Sequence, residues 1–291
     1  MAELLTSAQN PKFKRLVALR EKSRLRRDEG VFVVEGRREL EHCLEAGFEV
    51  ETVFVCPEIA DCSGAAPEGR NTRGSVAGGP SRRDGGVSPK DELPKGLQPC
   101  SGQIFEVTKE LYAKVAYREG TEGVMAIVKS RELRLDELQL GDKPLVMVLE
   151  GVEKPGNLGA VLRSADAAGA DAVIVCDPLT DLWNPNLIRA SIGAVFTVPT
   201  VCCSSQEAIA WLKARGIRIL TAQLQDSSAY YDCDMTGPTA IVMGTEATGL
   251  TDPWRQAADA HVLIPMLGRL DSLNVSVSAA ILLYEAVRQR Q

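Results

Sequence analysis

The chain has 291 residues, 45% hydrophobic and 25% charged, with 33 Lys and Arg against 39 Asp and Glu for a formal net charge of −6. This composition excludes a disordered tail or a fibre, and the length suits about two domains. The net charge offers no whole-molecule attraction to nucleic acid or to an anionic membrane, yet it is unevenly spread: residues 1–30 hold eight basic and four acidic residues, a local +4 that leaves −10 on the rest.

The basic stretch from Asn10 to Arg27 interleaves Phe13, Leu16, Val17, Leu19 and Leu25 with its charges, which predicts an amphipathic helix laid over a domain. Val31 to Glu35 then reads as a strand, Gly36 to Ala46 as a helix and Glu51 to Cys56 as a second strand, the opening of a small α/β domain. Composition changes at Pro57: residues 57–102 hold nine of the 25 glycines and six of the 15 prolines. Such a segment buries too little apolar surface to offset its ordering entropy, and a disordered insertion is expected there. A strand at Ile104 to Val107, a helix near Thr108 to Ala116 and a strand at Gly123 to Val128 close this domain, placed at 1–130.

A charged segment, 131–143, reads as the linker. The second domain, 144–291, shows apolar strand patterns at Leu145 to Leu149, Ala172 to Cys176, Ala194 to Val198, Arg218 to Thr221, Thr239 to Met243 and His261 to Ile264, separated by helical patterns. Apolar runs of this kind predict a parallel sheet covered on both faces. No apolar run approaches the ~18 to 20 residues needed to span a bilayer, and the first 30 residues lack the apolar core of a signal peptide. A cytoplasmic protein is expected. The eight cysteines show no CxxC pair and are expected to be mostly reduced structural thiols, and His42 and His261, one in each half, make a metal centre improbable.

Ligands of open α/β sheets bind beyond the carboxyl ends of the strands, so the loops after the second-domain strands carry the functional reading. Three stand out. The first runs from Glu150 through a Pro-Gly turn into a helix, with Asn157 near its N-cap and Arg163 nearly two turns on. The second is Met243-Gly244-Thr245-Glu246-Ala-Thr-Gly249-Leu250, a carboxylate in a glycine-bracketed turn. The third is Ile264-Pro-Met-Leu-Gly268-Arg-Leu-Asp-Ser272-Leu273-Asn274-Val-Ser276. Singly, the asparagines read as helix caps, Glu246 as a solvated turn residue and Arg163 as an exposed helix residue. There is no GxGxxG and no GxxxxGK[ST] after a strand, which disfavours a nicotinamide or ATP enzyme.

Together, in this order and spacing, the three loops resemble the signature motifs of the SpoU (TrmH) family of SPOUT RNA methyltransferases. The resemblance covers about Leu145 to Arg288. The N-terminal half resembles, more loosely, the family's small substrate-binding domain through Val31 to Arg37. The resemblance implies a C-terminal SPOUT domain with a parallel sheet and a deep trefoil knot, S-adenosylmethionine as cofactor, a homodimer, and methyl transfer to a ribose 2'-hydroxyl of RNA, ribosomal rather than transfer RNA. The alternative is a non-catalytic RNA-binding or ribosome-associated protein of the same fold.

On matching positions, the resemblance makes Gly244, Ile264, Leu273 and Thr221 cofactor contacts. Arg163 takes the catalytic role, with Asn157 orienting substrate or loop, Glu246 fixing the second turn or the partner subunit's arginine, and Ser272 with Asn274 shaping the third loop. Arginine is hard to deprotonate, so Arg163 is expected to hold a phosphate and stabilise the developing alkoxide rather than act as the base. Where the family usually has Asn before the second-motif Glu, this chain has Thr245, which keeps an oxygen and loses the amide donor. An RNA substrate turns the basic leading segment into a candidate phosphate surface, with Lys12, Lys14, Arg15, Arg24, Arg26 and Arg27 its expected contacts.

Overall fold

The computed structural model of the chain describes residues 2–60, 102–117, 122–245, 248–270 and 272–291. In the first domain, strands β1 (Glu3–Leu5), β2 (Val31–Glu35), β3 (Val50–Val55), β4 (Gln103–Val107) and β5 (Val124–Lys129) form a sheet in the order β1-β4-β3-β5-β2. β1, β4 and β3 are parallel, whereas β5 runs antiparallel to both β3 and β2. At three residues, β1 is too short for its pattern to show in the sequence.

The basic segment forms two helices, α1 (Pro11–Glu21) and α2 (Ser23–Glu29), rather than one. The break is Lys22, whose backbone is extended at φ −107° and ψ 104°. Asn10 caps α1 by accepting from the Lys12 N–H at 2.9 Å, and Pro11 occupies the first turn, where its missing N–H costs nothing. Phe13, Leu16 and Leu19 are buried against the sheet. Helices α3 (Arg37–Glu45), α4 (Pro57–Ala60) and α5 (Lys109–Val115) complete the domain. The start of the expected insertion is thus ordered, with Ala60 buried in α4. The remainder of that insertion, residues 61–101, lies outside the described residues.

The second domain is built on seven parallel strands: β6 (Leu145–Glu150), β7 (Ala172–Cys176), β8 (Thr200–Cys203), β9 (Arg218–Ala222), β10 (Ser228–Ala229), β11 (Thr239–Met243) and β12 (Ala260–Leu263), in the order β10-β12-β9-β11-β6-β7-β8. Alternation along β6 divides the core. Leu145, Met147 and Leu149 face α6 (Pro155–Ala167), α7 (Pro185–Ser191) and α11 (Val275–Arg290), while Val146 and Val148 face α9 (Ser205–Ala214) and α10 (Asp252–Ala257).

One element expected as a strand is a helix. Residues Ala194–Thr197 form α8, with the strand following at β8. Left-handed backbone at Ile192 (φ 56°) and Gly193 (φ 89°) turns the chain, and Val195 and Phe196 are buried from a helical turn. A short apolar run cannot by its periodicity be told from a buried helical segment. The linker also differs from a free connector: Leu138 is buried, Leu133, Leu135 and Leu140 pack against the face under α9 and α10, and Leu133 bridges to Val201.

The two domains share an aromatic cluster. Trp183 stacks on Phe32 with ring centroids 4.4 Å apart, Phe196 lies nearly parallel to both at 5.8 and 6.4 Å, and Phe48 meets all three edge-on. Such pairs add to their area burial when offset or T-shaped. Beside the cluster, Arg26 donates to Asp181 through Nε at 2.8 Å and Nη2 at 2.7 Å, with both side chains buried. The six described cysteines are free thiols, and burial pushes the Cys43 thiol up to about 12. Cys62 and Cys100 lie outside the described residues. No described helix is long and apolar enough to cross a membrane.

Candidate active site at the carboxyl edge of the second sheet

Because every strand of the second sheet is parallel, the loops after β6, β9, β11 and β12 leave the same edge. The first loop enters α6 by Lys154 and Pro155, so Asn157 is the third helical residue rather than a cap. Arg163 follows on the exposed side of the same helix, with no hydrogen bond or ion pair among the described residues. The third loop ends at Asn274, which caps α11 by accepting from the Ser276 N–H at 2.9 Å. The Asn274 Nδ2–H donates to Asn157 Oδ1 at 3.2 Å. The capping role assigned to an isolated asparagine is therefore real at Asn274, and a second contact joins the first loop to the third. Ser272 and Leu273 are exposed immediately before this cap, Leu273 at 39%.

The second loop is a closed turn. Thr245 and Gly249 exchange backbone hydrogen bonds at 3.2 and 3.0 Å, and Thr245 Oγ1 accepts from the Thr248 N–H at 3.0 Å. Thr245 thus spends its hydroxyl inside the turn. A Cβ on Gly244 would lie 2.2 Å from the Gly249 carbonyl carbon, so only glycine lets the two arms approach. Glu246 lies outside the described residues.

At the end of β9, Thr221 is fully buried and its Oγ1 lies 2.6 Å from His261 Nδ1, which occupies the hydroxyl with the neighbouring strand. Thr221 can therefore meet a ligand through its backbone more readily than through its side chain. Just beyond the end of β9, Gln223 has a buried Oε1 with no hydrogen-bond partner among the described residues, an acceptor that the sequence alone does not single out. Ile264 is half-buried where β12 gives way to the third loop. Among the described residues, the site offers backbone turns, an orphaned acceptor at Gln223 and an unpaired guanidinium at Arg163. Among the described residues no His, Cys, Asp and Glu cluster could hold a metal ion.

The leading basic residues do not act as one surface. Arg26 is removed from the set: at 3% exposure it is committed to Asp181 and to the Leu19 and Arg20 carbonyls at 2.7 and 3.1 Å. Arg15 is shared between Glu29 and Glu51, which hold its pKa above the ordinary value, the Glu51 bond most of all. Lys12 pairs with Glu3 and Arg24 with Asp28, both at the surface. Lys14 and Arg27 are exposed.

Comparison with known proteins adds independent findings. Residues 144–284 match the SpoU rRNA Methylase family, and residues 10–126 match the MRM3-like substrate binding domain. A relative from Vibrio parahaemolyticus, the 23S rRNA (guanosine-2'-O-)-methyltransferase RlmB, is 36% identical over 201 residues, 67% of this chain and 81% of its own length. A crystal structure of an RNA 2'-O ribose methyltransferase superposes with a TM-score of 0.77 at 36% identity, covering 99% of each chain. The SpoU methyltransferase AviRb from Streptomyces viridochromogenes, in complex with the cofactor AdoMet, gives a TM-score of 0.79 at 28% identity over 97% of this chain and 98% of that one.

Proposed function

The chain belongs to the SpoU rRNA methylase family, and from that premise we propose that it is an S-adenosylmethionine-dependent methyltransferase acting on a ribose 2'-hydroxyl of ribosomal RNA. The observation that carries the reading is the Asn157 to Asn274 hydrogen bond, which brings the first and third motifs to one place with Arg163 on the adjoining helix.

The residues fit the cofactor. Gly244, Ile264, Leu273 and the backbone at Thr221 surround the carboxyl edge, and the orphaned Gln223 Oε1 offers an acceptor suited to an amino group such as that of adenine. S-adenosylmethionine, when bound, supplies an electrophilic methyl on a sulfonium. The ribose hydroxyl must lose its proton to attack, and a guanidinium is a poor base. Arg163 instead holds an RNA phosphate and stabilises charge developing on the 2'-oxygen, while the proton leaves to phosphate or water. Asn157 and Asn274 fix the geometry in which that oxygen is presented. Glu246 and Ser272 are assigned, by resemblance, to fixing the second and third loops.

We also propose a homodimer, supported by exposed apolar side chains at helical spacing that lead into and along α11: Leu273, just before the helix, with Val277 and Tyr284 on it, are 39%, 47% and 50% exposed. A trefoil knot is consistent with the return of α11 onto α6 after the long passage through β12. The family reading also makes the cytoplasm, where ribosomes are made, the expected compartment.

Incubation of the protein with radiolabelled S-adenosylmethionine and unmethylated 23S rRNA or transfer RNA tests the proposal. Label at a 2'-O-methyl of the ribosomal RNA is expected, reduced about a hundredfold or more in Arg163→Ala. Cofactor binding without transfer to either RNA would instead support the non-catalytic reading.

A further inference from the structure

Glu150, the last residue of β6, is 5% exposed and has no ion pair with a basic side chain among the described residues. A buried carboxylate without a counter-charge must be held by hydrogen bonds, and its partners identify what it does. Its Oε2 accepts from the Thr251 N–H at 2.9 Å and its Oε1 from the Thr251 hydroxyl at 2.6 Å. Ser205 Oγ lies 3.1 Å from the same Oε1, but also 2.6 Å from Asp177 Oδ2, while accepting from the Trp254 Nε1–H at 2.9 Å. The serine has one proton, so it serves one carboxylate at a time. The two bonds from Thr251 are the ones that belong to Glu150 alone.

Thr251 follows directly on the closed turn that runs from Gly244 to Leu250. The other end of that turn rests on the residue after Glu150: a Cβ on Gly151, which has φ +63°, would meet Thr245 Cγ2 at 3.0 Å. One dipeptide at the mouth of β6 therefore meets both sides of the second-motif loop, by close approach at Thr245 and by two hydrogen bonds at Thr251. We propose that Glu150 is a positioning residue for the cofactor, holding the Gly244 turn at the height at which its backbone meets S-adenosylmethionine. The inference rests on the reading of that turn as part of the cofactor site.

The test is calorimetric cofactor affinity for the full chain, with hydrogen exchange of the turn amides measured without cofactor. Glu150→Gln keeps the shape but places an amide donor against the Thr251 donors. It is expected to speed exchange at Thr251, to weaken S-adenosylmethionine binding about tenfold or more, and to raise the cofactor KM while kcat at saturation stays within about threefold. Thr251→Val should reproduce the loss, Thr251→Ser should rescue it, and the double variant should lose no more than either single one. Should Glu150→Gln fold poorly, the two Thr251 variants decide the matter. Unchanged affinity in Glu150→Gln or Thr251→Val, or additive losses, would overturn the inference while leaving the cofactor reading intact. Failure of the unsubstituted chain to bind S-adenosylmethionine would overturn both.

Discussion

Asn274 performs two tasks with one side chain: its Oδ1 accepts from the Ser276 N–H to cap α11, and its Nδ2–H reaches Asn157 across 117 positions of sequence. The tasks separate by substitution. Serine caps a helix about as well as asparagine but is too short to reach Asn157. Asn274→Ser is therefore expected to leave the urea midpoint nearly unchanged and to lower methyl transfer, whereas Asn274→Ala should also cost about 1 kcal/mol of stability. In a double-mutant cycle with Asn157→Ala, the activity losses should be non-additive. Additive losses would show that the contact does not matter to the reaction.

The Arg26 to Asp181 pair ties α2 to the loop that presents Trp183, and both side chains are buried, at 3% and 7% exposure. Removing one member leaves the other charge buried without its partner, a loss of about 3–5 kcal/mol. Asp181→Ala is expected to show this in denaturant unfolding, and to loosen the Trp183 to Phe32 stack, visible as a change in tryptophan fluorescence. Replacing both residues together, Arg26→Met with Asp181→Leu, should recover most of the stability, because a buried pair is often no better than apolar residues of similar volume.

That pair also shows where sequence reading stops. Arg26 stands in a run of basic residues and looks like its neighbours; only the tertiary placement of Asp181, far along the chain, removes it from the surface. Most strands were legible because an apolar run bounded by turn residues has few other uses in a parallel sheet. The α8 segment was not, since four of the five residues from Ala194 to Val198 are apolar, too short a run for its periodicity to show, and its helical turn follows from left-handed backbone at Ile192 and Gly193. In the candidate site, motif order singled out Asn157, Arg163, Gly244 and Asn274, whereas Glu150, Thr251 and Gln223 are ordinary letters until the fold shows, among the described residues, a carboxylate buried without a counter-charge and an amide oxygen without a donor. A glutamate closing a fully buried strand was the available signal.

With Arg26 withdrawn, the expected RNA contacts least committed to other partners are Lys14, Arg24 and Arg27. The Arg24 to Asp28 pair is 3.5 Å long and its arginine is 88% exposed, so a phosphate can displace it at little cost. If all three contact RNA, the triple alanine variant should reduce the slope of log affinity against log salt by about 2, at ~0.7 per phosphate on single-stranded RNA. Filter binding of an rRNA fragment at several salt concentrations measures it. An unchanged slope would move the RNA surface to another part of the molecule.

Glu285 supplies the pH dependence. It is buried on α11, and the Arg288 guanidinium, bonded to it at 2.8 and 2.7 Å, holds its carboxyl below the usual carboxylate range, with the Gln289 side chain adding a further bond at 2.8 Å. Gln289 in turn accepts from the Met235 N–H at 2.7 Å and donates to the Cys233 carbonyl at 3.0 Å, so the carboxylate helps fasten α11 to the segment before β11. The folded pKa lies below the unfolded value, which is about 4.3 for glutamate. The unfolded chain therefore binds the proton first as pH falls. The stabilisation is complete above that unfolded value and is lost as pH falls from there through the lower folded one. Urea midpoints measured between pH 6 and pH 3 should fall less steeply in Glu285→Gln than in the unsubstituted chain. Identical pH profiles would show that the carboxylate contributes nothing to the acid sensitivity of the fold.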